Sequence, residues 1–224
     1  MNAFDMPIRK LAMSCVSHGR GRRAMDIIAA SAALIVLSPL MLFVAVALLI
    51  EGGRPILFVQ PRIGAGGQLF RMYKFRKFDP RCDAGGLALT LANDTRMTAV
   101  GRLLASSKLD ELPQLWNVLK GEMAIVGPRP ESLSFAECFR DGYEAVLQYK
   151  PGLFGPAQIM FRHEALFYPR DVEPTVFYKE VLFPAKARMD LSYYGRRTIV
   201  SDAILIIRGV LIVLGMTADR PVGT

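Results

Sequence analysis

A long uncharged run near the N-terminus constrains the fold more than any other feature of the sequence. It covers residues 27–50 and lies between Asp26 and Glu51. As one continuous helix it would be about 36 Å long, which exceeds the roughly 30 Å of a bilayer hydrocarbon core. It is too long for the apolar region of a signal peptide, and no clear cleavage site follows it. We therefore predict a helix inserted in a membrane.

Two features favour a helix that turns back over one that crosses the bilayer. Pro39 removes a backbone hydrogen bond in mid-run and kinks a helix, and the Ser38 hydroxyl can satisfy a freed backbone group. Basic residues also flank both ends, whereas a spanning helix has its basic excess on the cytoplasmic side. They are Arg20, Arg22 and Arg23 before the run, and Arg54, Arg62, Arg71, Lys74, Arg76 and Lys77 after it. A proline-kinked spanning helix is the alternative.

The rest of the chain has the pattern of a folded domain. Residues 55–64 and 68–78 contain short β-rich runs bounded by turn signals, which predicts two strands. Residues 131–149 and 171–195 have apolar side chains at helical spacing, which predicts two helices. The last apolar run, 199–214, predicts a helix that either lies on a membrane surface or packs against the domain.

Charge and composition limit the partners. The net charge of +8 and the pI near 9.6 indicate phosphates, an acidic membrane surface or nucleic acid. Basic and aromatic residues alternate in 70–78, and next to an apolar anchor this pattern favours a membrane interface over nucleic acid. The three cysteines are far apart and lack metal-ligand spacing, so we expect reduced thiols. The two histidines have no suitable neighbours for a zinc site.

The candidate site lies in the stretch LDELPQLWNVLKGEMAIVGPRP, residues 109–130. Pro113 and Gly121 frame a helix of about two turns, because proline is favoured at the first helical position and glycine just past the last. Asp110 and Glu111 then lie at its N-terminus, where unpaired amides favour anions and phosphates. Either carboxylate taken alone is also explained as a helix cap.

The same stretch ends in a rigid arginine turn. Arg129 lies between Pro128 and Pro130, which restrict the backbone on both sides. Arginine binds phosphate through a planar fork, so this turn is a candidate phosphate contact. Adjacent carboxylates, several basic residues and a nearby membrane indicate phosphoryl transfer to a lipid, which usually needs Mg²⁺.

This stretch resembles the signature of the bacterial sugar transferases, the monotopic phosphoglycosyl transferases that start polysaccharide assembly. The resemblance extends from about Arg22 to about Asp202. Its other motifs are SP at 38–39, QPRIG at 60–64, KFR at 74–76, LTLANDTRMTAVGR at 89–102, PGLFGPAQ at 151–158, and the spaced Tyr178, Pro184, Lys186 and Asp190.

The resemblance implies a mechanism with a covalent intermediate. Asp110 would attack the β-phosphorus of a nucleotide sugar, expected to be a UDP-sugar, and release the nucleoside monophosphate. Polyprenyl phosphate (undecaprenyl phosphate) would then take the phospho-sugar from the aspartyl group and give the first lipid-linked unit of an exopolysaccharide. Glu111 would hold Mg²⁺. The expected substrate or phosphate contacts are Lys74, Arg76, Arg129, Arg162 and Asp190.

The resemblance also implies the architecture, an α/β fold that is mostly helical with few short strands. Residues 1–23 would form a basic N-terminal segment, and 24–51 a re-entrant membrane helix broken at Ser38-Pro39. Residues 52–224 would form a compact cytosolic catalytic domain with interfacial amphipathic helices. The expected location is the cytoplasmic face of the bacterial inner membrane, in contact with its lipids, and an oligomer is compatible with the sequence.

Four positions depart from the family pattern. Ala105 stands where the family often has an arginine, five residues before the nucleophile. Lys108 replaces a small hydroxyl residue and would restore that charge from another position. Lys77 replaces a serine or threonine, and Phe154 replaces a threonine. These changes bear on donor specificity and on phosphate binding.

Two other functions fit parts of the sequence. A non-catalytic, membrane-anchored protein that binds acidic lipids or a polysaccharide-synthesis partner fits the composition, but it does not explain residues 109–130. A membrane-associated nucleic-acid binder fits the charge, but no nucleic-acid module is recognisable and the basic residues are dispersed. We therefore predict an enzyme without a nucleic-acid partner.

Overall fold

A computed structural model of the chain describes residues 19–82, 94–169, 171–213 and 215–216. Most of the predicted N-terminal segment and the first part of the 89–102 motif lie outside these residues. The helices are α1 (Arg20–Gly52), α2 (Ala99–Ser107), α3 (Gln114–Lys120), α4 (Pro156–Met160), α5 (Pro174–Phe177), α6 (Phe183–Tyr194) and α7 (Ile199–Val213). The strands are β1 (Leu57–Ile63), β2 (Leu69–Phe75), β3 (Ala124–Val126) and β4 (Gly152–Phe154). The prediction of a mostly helical protein with few short strands is confirmed.

Helix α1 contains the predicted apolar run and has Pro39 inside it. The Ser38 hydroxyl donates a 2.8 Å hydrogen bond to the Ile35 carbonyl. That carbonyl would otherwise accept from the amide of residue 39, which proline lacks, so the hydroxyl replaces the missing donor. Among the described residues, α1 is the one helix long and apolar enough to cross a membrane by length and composition.

The N-terminal end of α1 is bound to the domain by polar contacts. The Arg23 guanidinium donates to the carbonyls of Val118 and Leu119 at 2.6 and 2.7 Å, where α3 ends. Asp26 is buried and its Oδ1 accepts the Ile125 amide at 2.9 Å. Unpaired carbonyls at a helix C-terminus need donors, and Arg23 supplies two of them.

Strands β1 and β2 form an antiparallel hairpin in which Leu57 pairs with Phe75 and Ile63 with Leu69. Both strands were predicted. Asn117 of α3 is fully buried against β2: its Oδ1 accepts the Tyr73 amide at 3.1 Å and its Nδ2 donates to the Arg71 carbonyl at 2.7 Å. This side chain holds the middle of β2 against the middle of α3. Strands β3 and β4 form a separate parallel pair.

The predicted helix over 131–149 is wrong. The segment forms two 3₁₀ turns, Leu133–Cys138 and Tyr143–Gln148, joined by a turn in which Asp141 and Gly142 have φ of 56° and 94°. Positive φ at two successive residues cannot be part of a right-handed helix. The apolar side chains of the segment are nevertheless buried, because 3₁₀ turns also bring residues three apart to one face.

The helical prediction over 171–195 is confirmed by α5 and α6, which a π-helical segment at Tyr178–Leu182 joins. Helix α7 confirms the predicted helix over 199–214. One of its faces packs against the domain: Asp202 and Gly209 are buried, and a Cβ added at Gly209 would lie 2.3 Å from the Phe154 ring. The other face has exposed apolar residues, among them Val200, Ile204 and Ile207.

Candidate active site

The acidic pair lies at a sharp change in chain direction between α2 and α3. Lys108 ends α2 with φ of 61°, and Leu109–Glu111 form one 3₁₀ turn that contains Asp110. Helix α3 then begins at Gln114, directly after Pro113, so the predicted helix is confirmed. The carboxylates therefore precede α3 by one turn rather than capping its amides.

Glu111 is held by two cations. Lys74 Nζ lies 2.9 Å and Arg129 Nη1 3.6 Å from Glu111 Oε1. Burial alone would raise the pKa of Glu111, but the positive charges of Lys74, Arg129 and Lys108 exceed that effect and hold this pKa well below its usual range. Glu111 is therefore an ionised carboxylate at neutral pH. Arg129 keeps 38% of its side chain exposed, so it can also contact a ligand.

Asp110 has the opposite environment. It is 3% exposed, and its Oδ1 has no hydrogen-bond partner within the part of the chain that the structure describes. Burial raises the pKa of Asp110, and the Glu111 charge adds to this, whereas Lys74 and Lys77 oppose it. A carboxylate oxygen without hydrogen bonds keeps its lone pairs available for attack on an electrophile.

Two further lysines contribute positive charge around the pair. Burial lowers the pKa of Lys77 to about 8, against the effect of Asp110. Burial also lowers the pKa of Lys108, against the effect of Glu111. Both side chains and Ala105 line the same cleft, so Lys108 is near the acids as predicted from its departure from the family pattern.

All the predicted site residues of the domain line one open cleft of about 1020 Å³. They are Lys74, Arg76, Asp110, Glu111, Arg129, Arg162 and Asp190. Arg162 Nη1 is buried without a partner in the described chain. Asp190 accepts the Ala157 amide at 3.4 Å, and burial raises its pKa to about 7. The cleft is large enough for a nucleotide-sized ligand.

Arg76 lines the cleft but has a structural task. Its guanidinium donates to the carbonyls of Leu48, Gly53 and Pro55, each at 3.0 Å, and to Gly52 at 3.4 Å. These carbonyls belong to the last turn of α1 and the residues after it. Arg76 therefore connects the C-terminal end of α1 to the end of β2 and caps that helix. Its contact with substrate stays a prediction.

The structure adds residues that the sequence did not single out. Glu131 accepts a hydrogen bond from the buried Tyr178. Glu164 accepts from Lys186 Nζ and, at 2.6 Å, from the Tyr168 hydroxyl. Tyr178 and Lys186 were noted only as motif positions. Sequence could have identified Glu131 and Glu164 only by their closeness to predicted site residues. Glu131 comes two residues after Arg129, and Glu164 comes two residues after Arg162.

The residues present fit Mg²⁺ better than a cation that needs a cage of protein ligands. Within the described ranges no group of three or more His, Cys, Asp or Glu side chains could hold a metal. Mg²⁺ is usually bound through one or two carboxylates plus substrate phosphate oxygens. Glu111, an ionised carboxylate in the cleft, supplies one such ligand.

A family model and individual relatives assign this chain to the same family. Residues 18–216 match the model of a family described as "Bacterial sugar transferase". The chain is 37% identical over 196 residues to the "Exopolysaccharide production protein PSS" of Rhizobium leguminosarum bv. phaseoli, covering 83% of this chain and 90% of that protein.

Two longer relatives have more descriptive names. The chain is 40% identical over 148 residues to the "UDP-N-acetylgalactosamine-undecaprenyl-phosphate N-acetylgalactosaminephosphotransferase" of Aeromonas hydrophila, 64% of this chain and 35% of that protein. It is 38% identical over 159 residues to the "UDP-glucose:undecaprenyl-phosphate glucose-1-phosphate transferase" of Klebsiella pneumoniae, 70% of this chain and 33% of that protein. The chain thus spans about a third of the length of these two relatives.

Proposed function

Because the chain belongs to the bacterial sugar transferase family, we propose that it transfers a sugar-1-phosphate from a UDP-sugar to polyprenyl phosphate. The products are UMP and a polyprenyl-diphosphate sugar, the starting unit of an exopolysaccharide. The observation that supports this best is the acidic pair: a buried Asp110 oxygen that has no hydrogen-bond partner among the described residues precedes a Glu111 that two cations hold. The names of the relatives support the donor and acceptor classes.

The reaction proceeds in two displacements at phosphorus. Asp110 Oδ1 attacks the β-phosphorus of the donor, and the bond from that phosphorus to the oxygen of UMP breaks. UMP leaves with the electron pair. A phosphate oxygen of polyprenyl phosphate then attacks the same phosphorus, and the bond to Asp110 breaks, which regenerates the carboxylate. No external proton source is needed, because both nucleophiles are anions.

The surrounding cations stabilise the charge that develops on the phosphate oxygens. Lys74 and Arg129 already lie at Glu111, and Lys77 and Lys108 lie within electrostatic range of Asp110. Charge stabilisation by fixed cations is the main protein contribution to phosphoryl transfer. Glu111 would hold Mg²⁺, which when bound supplies further neutralisation of the phosphate charge.

The contacts of α1 support a re-entrant helix. Arg23 joins one end to α3, and Arg76 joins the other end to β2, so both ends contact the same domain. A helix that crosses a bilayer leaves its ends in different compartments. The exposed apolar face of α7 supports an interfacial helix on the same membrane surface. We place the domain on the cytoplasmic face of the inner membrane.

This topology is tested with single cysteines at Arg20 and Arg54, after replacement of the native cysteines. A membrane-impermeant thiol reagent should label both positions from the cytoplasmic side of inverted vesicles and neither from outside intact spheroplasts. Labelling of the two positions from opposite sides would establish a crossing helix instead.

The activity is tested by UMP release from a panel of UDP-sugars by detergent-solubilised protein with Mg²⁺ and undecaprenyl phosphate. We expect turnover with at least one sugar and its loss in Asp110→Asn. Asp141→Asn is the matched control, because Asp141 is exposed, lies outside the cleft and has a positive φ that asparagine tolerates. Without acceptor, the wild-type protein should gain the mass of a phospho-sugar at Asp110.

The alternative function, a non-catalytic anchored protein, predicts binding without turnover. Folded wild-type protein that releases no UMP from any donor, with or without acceptor, would favour it. The geometry argues against this alternative, because a buried carboxylate oxygen without a partner is costly and has no benefit for an anchor.

A further inference from the structure

The part of the cleft beyond Arg129 contains three carboxylates that the transfer reaction does not use. Glu131 and Asp190 are buried, and Glu164 is largely so. The aromatic rings of Phe161 and Tyr178 line the same region. Buried carboxylates are costly unless they are paired, and a cluster of them in an open cleft needs an explanation.

These carboxylates are fixed in place and ready to accept hydrogen bonds. Glu164 accepts from Lys186 and Tyr168. Burial would raise the pKa of Glu164, but the Lys186 charge and these hydrogen bonds bring it below its usual range. Lys186 also lies over the Tyr178 ring, 4.6 Å from its centroid, so the cluster packs as a unit. A carboxylate has about four acceptor sites, more than its protein donors occupy here.

Another part of the cleft is rich in cations. It is lined by Lys77, Arg96, Arg102 and Lys108. A phosphate group is attracted to these cations, whereas in the carboxylate part Lys186 is already paired with Glu164. The carboxylate part therefore suits an uncharged group with many hydroxyls, since carboxylates accept from hydroxyls and aromatic rings cover apolar faces.

The carboxylate part lies close to the acidic pair, and this indicates which uncharged group of the donor binds there. Arg129 lies 3.6 Å from Glu111, and Glu164 and Glu131 are its next strongest electrostatic neighbours, so the carboxylate part begins one guanidinium away from the acidic pair. In a UDP-sugar the sugar is bonded directly to the phosphorus under attack, whereas the nucleoside lies beyond a second phosphate. Accepting the proposed function, we infer that this part binds the donor sugar, and that Glu131 and Glu164 determine which sugar is accepted.

The inference is tested by donor selectivity. UMP release is measured with UDP-glucose, UDP-galactose, UDP-N-acetylglucosamine and UDP-N-acetylgalactosamine for wild type, Glu131→Gln and Glu164→Gln. We expect the ratio of kcat/KM between donors to change by about 10-fold or more, as for loss of a charged hydrogen bond to substrate. Inhibition by UMP should stay within about twofold, because UMP lacks the sugar. The matched control is Glu137→Gln, which removes an exposed carboxylate outside the cleft.

Stability is controlled with a second variant at the same carboxylate. Glu164→Gln leaves Lys186 without its ion pair, so its melting temperature is measured alongside its selectivity. Tyr168→Phe removes one hydrogen bond to Glu164 and keeps the pair with Lys186. It should alter selectivity in the same direction with a smaller effect.

Each result separates the inference from the proposed function. Wild-type turnover that depends on Asp110, with variants that slow all four donors equally, would overturn the inference and leave the function intact. Weaker UMP inhibition with unchanged donor ratios would assign the region to the nucleoside and also overturn it. Folded wild-type protein without any turnover would overturn both.

Discussion

Replacement of Arg76 by lysine should destabilise the protein rather than remove its chemistry. Arg76 is 5% exposed and donates three hydrogen bonds of 3.0 Å to carbonyls on the chain around the end of α1. A lysine ammonium cannot match the two-pronged geometry of a guanidinium, so at least one or two carbonyls lose their donor. At about 1–3 kcal/mol for each buried group left unsatisfied, loss of the donor to two carbonyls costs about 2–6 kcal/mol.

This loss is measurable as a shift in melting temperature. For a domain of this size 1 kcal/mol corresponds to about 2–4 °C, so Arg76→Lys should melt roughly 4–24 °C below wild type. Unfolding is followed by the fluorescence of Trp116, the single tryptophan, at constant detergent concentration. Below its melting temperature the variant should retain UMP release within about threefold. Arg71→Lys is the control, because Arg71 is exposed on the same strand.

One result would refute this reasoning. A variant that melts within about 2 °C of wild type and loses UMP release by 100-fold or more would show that Arg76 contacts substrate. A variant that loses stability and also loses UMP release well below its melting temperature would equally refute a purely structural role of Arg76. The Arg71→Lys control should leave both quantities unchanged.

Three further predictions follow from other contacts. Burial lowers the pKa of Lys77 to about 8, so activity that needs the Lys77 ammonium should fall as pH rises through 8. In Lys77→Arg this fall should move to higher pH, because arginine stays charged. An identical pH–rate profile in the two proteins would contradict the prediction. Gly101→Ala should abolish a stable fold, because its Cβ would lie 1.9 Å from the Lys77 carbonyl oxygen. Gly21→Ala is the control: it has open space around it and should have an unchanged or higher melting temperature. Arg22→Met should lower the free energy of unfolding by about 3–5 kcal/mol, because Asp202 stays buried without its 3.1 Å ion pair. The double variant Arg22→Met with Asp202→Leu should recover much of that loss. Equal melting temperatures of the single and double variants would show that the pair is not coupled.

The parts of the site that could be predicted from sequence depend on local chemistry. Proline before a helix and glycine after it act within a few residues, which is why the bounds of α3 agree with the Pro113–Gly121 frame. Local signals failed at 131–149, because apolar side chains three or four apart occur in both α-helices and successive 3₁₀ turns. The positive φ of Asp141 is not encoded by that spacing.

Long-range contacts explain the remaining differences. Lys74 and Arg76 are two residues apart in a basic segment and could not be told apart by sequence. One meets Glu111, and the other meets the end of α1, 28 residues earlier in the chain. Glu131 and Glu164 resemble solvated loop residues until Tyr178, in the π-helical segment before α6, and Lys186 of α6 are packed against them. Their role depends on contacts that no local pattern records.

The attachment of α1 at both ends has a kinetic consequence. Arg23 and Arg76 attach both ends of the helix to the domain. With α1 inserted in the membrane as proposed, they fix the height of Asp110 relative to the bilayer. For the proposed reaction, a lipid acceptor then reaches the aspartyl intermediate by lateral diffusion in two dimensions, while the donor arrives from solution. The rate of the second step should depend on the surface density of the acceptor, in moles per unit area, and dilution with inert lipid should slow it even when the bulk concentration is constant.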